Sequence, residues 1–204
     1  MDKYRLLYID DDIDTALSEY LDKKLPNSIN STDLALECNE LQFIPSEGYK
    51  SLLNNASVLT SNIILIDSRL FEDRTASEGK FSGEEFKIIL KKYYPFIEVI
   101  VITQNGADES VKTLPKYSPD CGKTPDEYYD SVLPRCVNEA IEQNRIYRNL
   151  AKRMSENDSW EPILKEKVIG TLEGTGTYDE LTKEDIEKCE NLTILAESAE
   201  AGVT

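Results

Sequence analysis

The sequence predicts an α/β fold, a doubly wound, five-stranded parallel sheet followed by a short acidic C-terminal extension. Three observations predict it. First, Leu6-Leu7-Tyr8-Ile9 runs into Asp10-Asp11-Asp12, Ile63-Ile64-Leu65-Ile66 into Asp67, and Val99-Ile100-Val101-Ile102 into Thr103. Each run is apolar without polar alternation, as in a parallel strand buried on both faces. Second, segments of helical period lie between the runs, so strands alternate with helices. Third, a polar residue closes each run, and open α/β sheets bind ligands outside the carboxyl ends of their strands.

The elements follow in order. Tyr4–Ile9 forms the first strand. Asp12 or Asp14 caps a helix with apolar positions at Ile13, Leu17, Tyr20, Leu21 and Leu25, and Pro26-Asn27-Ser28 ends it. Asp33–Pro45 reads as one broken strand or two short ones. A helix over Glu47–Val58 leads to the strand ending at Asp67. Phe71–Ser82 is polar and reads as a loop over the carboxyl edge of the sheet. Ser82-x-x-Glu85 is a capping box for a helix to Tyr94, and Pro95 closes it.

Beyond Thr103 the pattern weakens. Gln104–Lys112 reads as a shortened helix or a loop, and Val111–Tyr117 as a fifth strand that Pro115 places at a sheet edge. Thr124-Pro125-Asp126-Glu127 starts a helix to Met154: a cap, a proline at the first position, then acids on the positive end of the dipole. Pro134 marks a kink or break within it. The chain then divides into residues 1–154 and an acidic extension, 155–204. From Ala151 onward six basic residues face thirteen acidic ones, a net of -7. In this extension Val168–Leu172 and Leu192–Leu195 read as strands, and Thr182–Cys189 as a short helix.

Composition excludes several functions. The 204 residues carry 39 acidic and 23 basic side chains, a net charge of -16, and no histidine. Nucleic-acid partners need clustered Lys and Arg, and anionic membrane surfaces are equally disfavoured. Without histidine the chain is neither a phosphohistidine donor nor a Ser-His-Asp hydrolase nor a His-ligated zinc enzyme. Cys38, Cys121, Cys136 and Cys189 are widely spaced, which suits a reducing compartment. No leader-like or membrane-spanning apolar run appears, so the expected location is the cytoplasm.

The strand ends carry the chemistry. Adjacent carboxylates at Asp10 and Asp11 repel unless a cation intervenes. A hard divalent ion fits, and Mg2+ fits best, because it accepts one or two carboxylates and keeps waters that phosphate oxygens can replace. Asp67 ends the neighbouring strand and completes the shell. A carboxylate beside Mg2+ is also a nucleophile toward phosphorus. Thr103 offers a hydroxyl to a phosphoryl oxygen, and a lysine at the fifth strand end adds a positive charge. Asp12 and Asp14 read as turn or cap residues.

On the motifs Leu6-Leu7-Tyr8-Ile9-Asp10-Asp11, Ile64-Leu65-Ile66-Asp67 and Val99-Ile100-Val101-Ile102-Thr103, the chain resembles the receiver domain of two-component response regulators over Lys3–Met154. The resemblance implies a flavodoxin-like fold with Asp67 as phosphoacceptor. Asp10, Asp11, Asp67 and the backbone carbonyl of Arg69 would bind Mg2+, and Thr103 would be the switch hydroxyl. Gly83 matches a glycine that the family places after the acceptor loop. The family's lysine is Lys116 or, alternatively, Lys123. The aromatic switch residue expected three positions before the lysine is Thr113 for Lys116, and neither choice supplies an aromatic.

The implied function is a phosphorelay switch rather than an enzyme acting on an external substrate. Its expected partners are a sensor histidine kinase or phosphotransfer protein and a protein target of the output, with homodimerisation left open. Two other readings compete. One is a phosphorylation-independent pseudo-receiver that acts as a binding module. The other is an aspartate phosphatase of the haloacid dehalogenase type, which needs threonine where Asp14 stands in Asp10-Asp11-Asp12-Ile13-Asp14.

Overall fold

The computed structural model describes residues 1–71, 82–104 and 113–173. Five strands form one sheet: β1 (Asp2–Asp10), β2 (Leu34–Gln42), β3 (Ile63–Asp67), β4 (Glu98–Thr103) and β5 (Thr113–Pro115). Their order is β2-β1-β3-β4-β5, and every pairing is parallel. This is the flavodoxin-like arrangement, and its strand order reverses between β1 and β3. Asp10 and Asp67 are the last residues of those two strands.

Burial explains the apolar runs. Leu6–Ile9 and Ile63–Ile66 are inaccessible or nearly so along their whole length, since both faces of these central strands are covered. On one face, Tyr4, Leu6 and Tyr8 pack with Leu17, Tyr20 and Leu21 of α1 (Thr15–Lys23). The same cluster includes Leu25 and Ile29 of α2 (Leu25–Ile29). Leu7, Ile9, Ile64 and Ile66 alternate to the other face. A buried aromatic chain, Phe43–Phe71–Phe86, has ring centroids 5.2 and 4.9 Å apart.

Several elements differ from expectation. Pro26 does not end the helical region. It lies in the first turn of α2, where its missing N–H costs no hydrogen bond. Asp33–Pro45 contains one unbroken nine-residue strand, paired with β1 from Asp2↔Leu34 to Asp10↔Gln42. The single helix expected over Glu47–Val58 is instead a 3-10 turn (Pro45–Glu47), α3 (Tyr49–Leu53) and α4 (Ala56–Leu59). Gly48 at φ 71 interrupts the first junction. At the second, Asn55 caps α4 by accepting a hydrogen bond from the Ser57 N–H at 2.8 Å.

The capping box closes as read from the sequence. Ser82 Oγ accepts from Glu85 N and Glu85 Oε2 accepts from Ser82 N at the start of α5 (Gly83–Tyr93). β5 is a short edge strand containing Pro115, where a missing donor is tolerated. The sixth helix, α6 (Pro125–Ser155), continues through Pro134 without a break. Its stripe Tyr129, Leu133, Val137 and Ile141 is buried in the core, and that burial outweighs the roughly 3 kcal/mol cost of an internal proline. Of the expected Phe71–Ser82 loop, residues 72–81 lie outside the described residues, as does most of Gln104–Lys112.

Contacts divide the chain into two compact units, Met1–Ile146 and Tyr147–Thr204. The boundary read from sequence, between 154 and 155, falls at the end of α6. In the second unit the expected strand Val168–Leu172 is instead part of α7 (Pro162–Glu173). Pro162 presets the first turn, and Leu164-Lys165-Glu166-Lys167 are strong helix formers, which outweighs the β-branched pair Val168-Ile169. The expected elements at Thr182–Cys189 and Leu192–Leu195 lie outside the described residues. No helix among the described residues is long and apolar enough to cross a membrane.

Candidate functional site

The strand reversal brings the ends of β1 and β3 side by side, and the polypeptide after β5 returns to them. Asp10, Asp67 and Lys116 are all buried there. Lys116 Nζ lies 2.7 Å from Asp10 Oδ2 and 2.8 Å from Asp67 Oδ1, so one ammonium bridges two carboxylates. The lysine is held by its own backbone, whose N–H donates to the Thr103 carbonyl at 2.6 Å. Thr103 closes β4 and is itself buried.

The remaining carboxylate oxygens also have donors. Asp67 Oδ2 accepts from the Arg69 N–H at 2.7 Å, which turns the chain tightly after β3. Asp10 Oδ1 accepts from the Asp12 N–H at 3.3 Å, and Asp10 Oδ2 accepts from the Tyr8 hydroxyl. Asp11 is half-buried, and one oxygen from each of Asp10, Asp11 and Asp67 lies within 4.8 Å of the others.

The electrostatics follow from this crowding. Burial pushes the Asp11 carboxyl above the usual carboxylate range, and the neighbouring Asp10 and Asp67 push it further. For Lys116 burial acts downward, but the hydrogen bonds and charges of Asp10 and Asp67 outweigh it and leave the ammonium above its ordinary value. Three carboxylates and one ammonium leave the site net negative. Oxygen-only donors in such a cluster suit a hard divalent ion, and the donor set therefore fits Mg2+.

The other sequence candidates fall elsewhere. Lys123 is exposed, and its Nζ lies 3.4 Å from Ser131 Oγ, away from the acidic cluster. Asp14 caps α1 by accepting from Ala16 N and Leu17 N, and Asp12 is exposed. The Arg69 side chain is exposed, and its backbone N–H is what reaches Asp67.

Gly83 abuts the site's backbone. Its N–H donates to the Ser68 carbonyl at 2.8 Å, and a Cβ at this position would lie 2.5 Å from the Asp67 carbonyl oxygen. Only glycine permits α5 to start this close to β3. Tyr8 is not among the site residues that the strand-end pattern marks. Its signal was the period of two, which places Tyr8 and Asp10 on the same face of β1.

No protein-family model matches the chain, and no curated protein matches it. Solved structures do. They include two receiver domains and a response regulator. The BeF3-activated DrrB receiver domain is 17% identical, with a TM-score of 0.40, over 69% of this chain and 99% of that one. A CheY-like receiver domain protein from Methanospirillum hungatei is 18% identical, with a TM-score of 0.38, over 71% and 98%. The Salmonella typhimurium RcsB response regulator is 12% identical, with a TM-score of 0.37, over 93% and 100%.

Proposed function

We propose that the chain is a phosphoacceptor switch, phosphorylated on Asp67 in a Mg2+-dependent reaction by a phosphohistidine-bearing partner. The observation that carries this reading is the Lys116 ammonium bridging Asp10 and Asp67 beside Asp11. One ammonium offsets the charge of only one of the two carboxylates it bridges, and a third carboxylate crowds the pair, so the site holds more negative charge than Lys116 can compensate.

Asp10, Asp11 and Asp67, with the Arg69 carbonyl, would hold the ion, whose chemistry is to offset charge on a transferring phosphoryl group. An Asp67 carboxylate oxygen attacks the phosphorus of the partner's phosphoimidazole. An O–P bond forms as the N–P bond breaks, and the electron pair returns to the imidazole nitrogen, which takes up a proton from water. The histidine belongs to the partner because this chain has none. Lys116 meets the negative charge of the arriving phosphoryl group, and Thr103 supplies a hydroxyl from the next strand end.

In this reading the chain turns over no external substrate. Phosphorylation biases a two-state equilibrium and alters protein contacts. The donor is a sensor kinase or phosphotransfer protein that presents a phosphohistidine. The competing reading, a phosphorylation-independent module, draws on Thr113, which stands where an aromatic switch residue is expected.

Intact-mass spectrometry after incubation with acetyl phosphate and Mg2+ tests the proposal. The expected result is one phosphoryl adduct, lost with EDTA and in Asp67→Asn. No adduct, together with no response to beryllofluoride and Mg2+, overturns it in favour of the phosphorylation-independent module.

A further inference from the structure

Tyr8 is fully buried, and its hydroxyl takes part in two hydrogen bonds. The Asp14 N–H donates to the phenolic oxygen at 3.3 Å. A backbone N–H can only donate, so the phenol accepts there, and its single proton goes to Asp10 Oδ2. The same Oδ2 also receives Lys116 Nζ at 2.7 Å. Two donors therefore converge on one oxygen of Asp10. Among the described residues, the backbone donor to the other oxygen, Oδ1, is the Asp12 N–H at a long 3.3 Å, and the Asp11 carboxyl lies within hydrogen-bonding reach of Asp10.

We propose that Tyr8 is a positioning residue for the cation site, fixing the Asp10 carboxylate so that Oδ1 is the oxygen presented to a divalent ion. The inference rests on the reading of Asp10, Asp11 and Asp67 as the ion's ligands. A carboxylate free to rotate about its terminal torsion offers either oxygen, or both, in a broad range of orientations. The phenol removes that freedom, and its ring is held in turn by the core cluster around Leu6, Leu17 and Tyr20. The Asp14 N–H ties the same hydroxyl to the start of α1, so the loop that carries Asp11 and the carboxylate of Asp10 are set by one group. Groups that orient a ligating carboxylate typically change metal affinity by about 10–100-fold when removed.

The test is calorimetric titration of Mg2+ into the full chain as wild type, Tyr8→Phe and Tyr4→Phe. Tyr4 lies on the same face of β1 and is equally buried, but it is four residues from Tyr8 and away from the strand end. Wild type and Tyr4→Phe should bind Mg2+ alike, and Tyr8→Phe should bind at least about tenfold more weakly. Acetyl phosphate labelling of Tyr8→Phe should return to the wild-type yield at saturating Mg2+, which a general loss of structure would prevent. Equal Mg2+ affinity in wild type and Tyr8→Phe overturns the role of Tyr8 alone. No Mg2+ binding by wild type overturns the cation site itself, and the inference with it. A Tyr8→Phe labelling defect that persists at saturating Mg2+ also overturns the positioning role.

Discussion

Gly83 sits against Asp67 so closely that a single added carbon would lie 2.5 Å from the Asp67 carbonyl oxygen and 2.9 Å from the Ser68 Cα. Both atoms are backbone, so neither can swing aside as a flexible side chain would. Gly83→Ala must push α5 and the end of β3 apart. We expect a loss of about 1–3 kcal/mol in denaturant unfolding, as for overpacking elsewhere. Because the displaced atoms carry Asp67, the proposed acceptor, acetyl phosphate labelling should also slow by about tenfold or more. A Gly83→Ala protein with wild-type stability and labelling rate would show that the close approach is unimportant.

Removing the lysine tests the bridge. Lys116→Met leaves Asp10 and Asp67 buried without their shared cation, and should cost about 3–5 kcal/mol of stability in EDTA at neutral pH. The pH dependence has a definite sign. The folded protein holds the Lys116 proton more tightly than the ordinary value of 10.5. That contribution is complete below the unfolded pKa and is lost as pH rises through the higher folded value. The gap between wild type and Lys116→Met should therefore be full at pH 7 to 9 and narrow only above about pH 10.5. Measuring the difference between the two proteins cancels the buried tyrosines, which titrate in the same direction. A gap that closes near neutrality would be incompatible with the bridge.

The acidic cluster should be a source of instability until a cation fills it. Asp11 is raised in the folded state, first by burial and then by Asp10 and Asp67. A carboxyl held more tightly protonated in the native state loses stability as pH climbs from the unfolded pKa, about 3.9, through the folded value. Asp11→Asn should therefore melt about 2–4 °C higher than wild type in EDTA at pH 7. It should also lose most of the stabilisation expected from Mg2+ in wild type, since stabilisation by a ligand follows its affinity. An Asp11→Asn midpoint at or below wild type in EDTA would argue against uncompensated charge at this site.

The start of α6 is set by a local device that tests independently of the site. Thr124 Oγ1 accepts from the Glu127 N–H at 3.3 Å, while Glu127 Oε2 accepts from the Thr124 N–H at 2.9 Å. Thr124→Ala should cost about 1 kcal/mol, seen in equilibrium unfolding, with no change in Mg2+ affinity. A shift in Mg2+ affinity would mean that α6 and the acidic site are coupled.

Legibility in the sequence followed the range of the interaction responsible. The Ser82–Glu85 box, the Thr124–Glu127 start and the Asp14 cap are hydrogen bonds between residues at most three apart, so local spacing carries them. The three buried strands were readable because full burial on both faces leaves no polar position in the run. The split of the expected Glu47–Val58 helix was not readable, since it depends on Gly48 adopting a positive φ and on Asn55 acting as a cap. Val168–Leu172 misled because two β-branched residues resemble a strand, while Pro162 sets a helix six residues earlier.

By itself the sequence determined the α/β class, the strand ends and the chemical identity of the groups they deliver: Asp10, Asp11, Asp67 and Thr103. Each is fixed by its place at the end of an apolar run, a property of the chain within a few residues. Between Lys116 and Lys123 the sequence left a choice, and the two differ by only seven positions. Tertiary structure separates them, because only the backbone of Lys116 pairs with Thr103 and carries an ammonium to within 2.8 Å of Asp67. The Tyr8–Asp10–Lys116 convergence was equally a matter of three dimensions. It joins residues 106 positions apart, and such contacts arise from the packing of strands rather than from any local pattern.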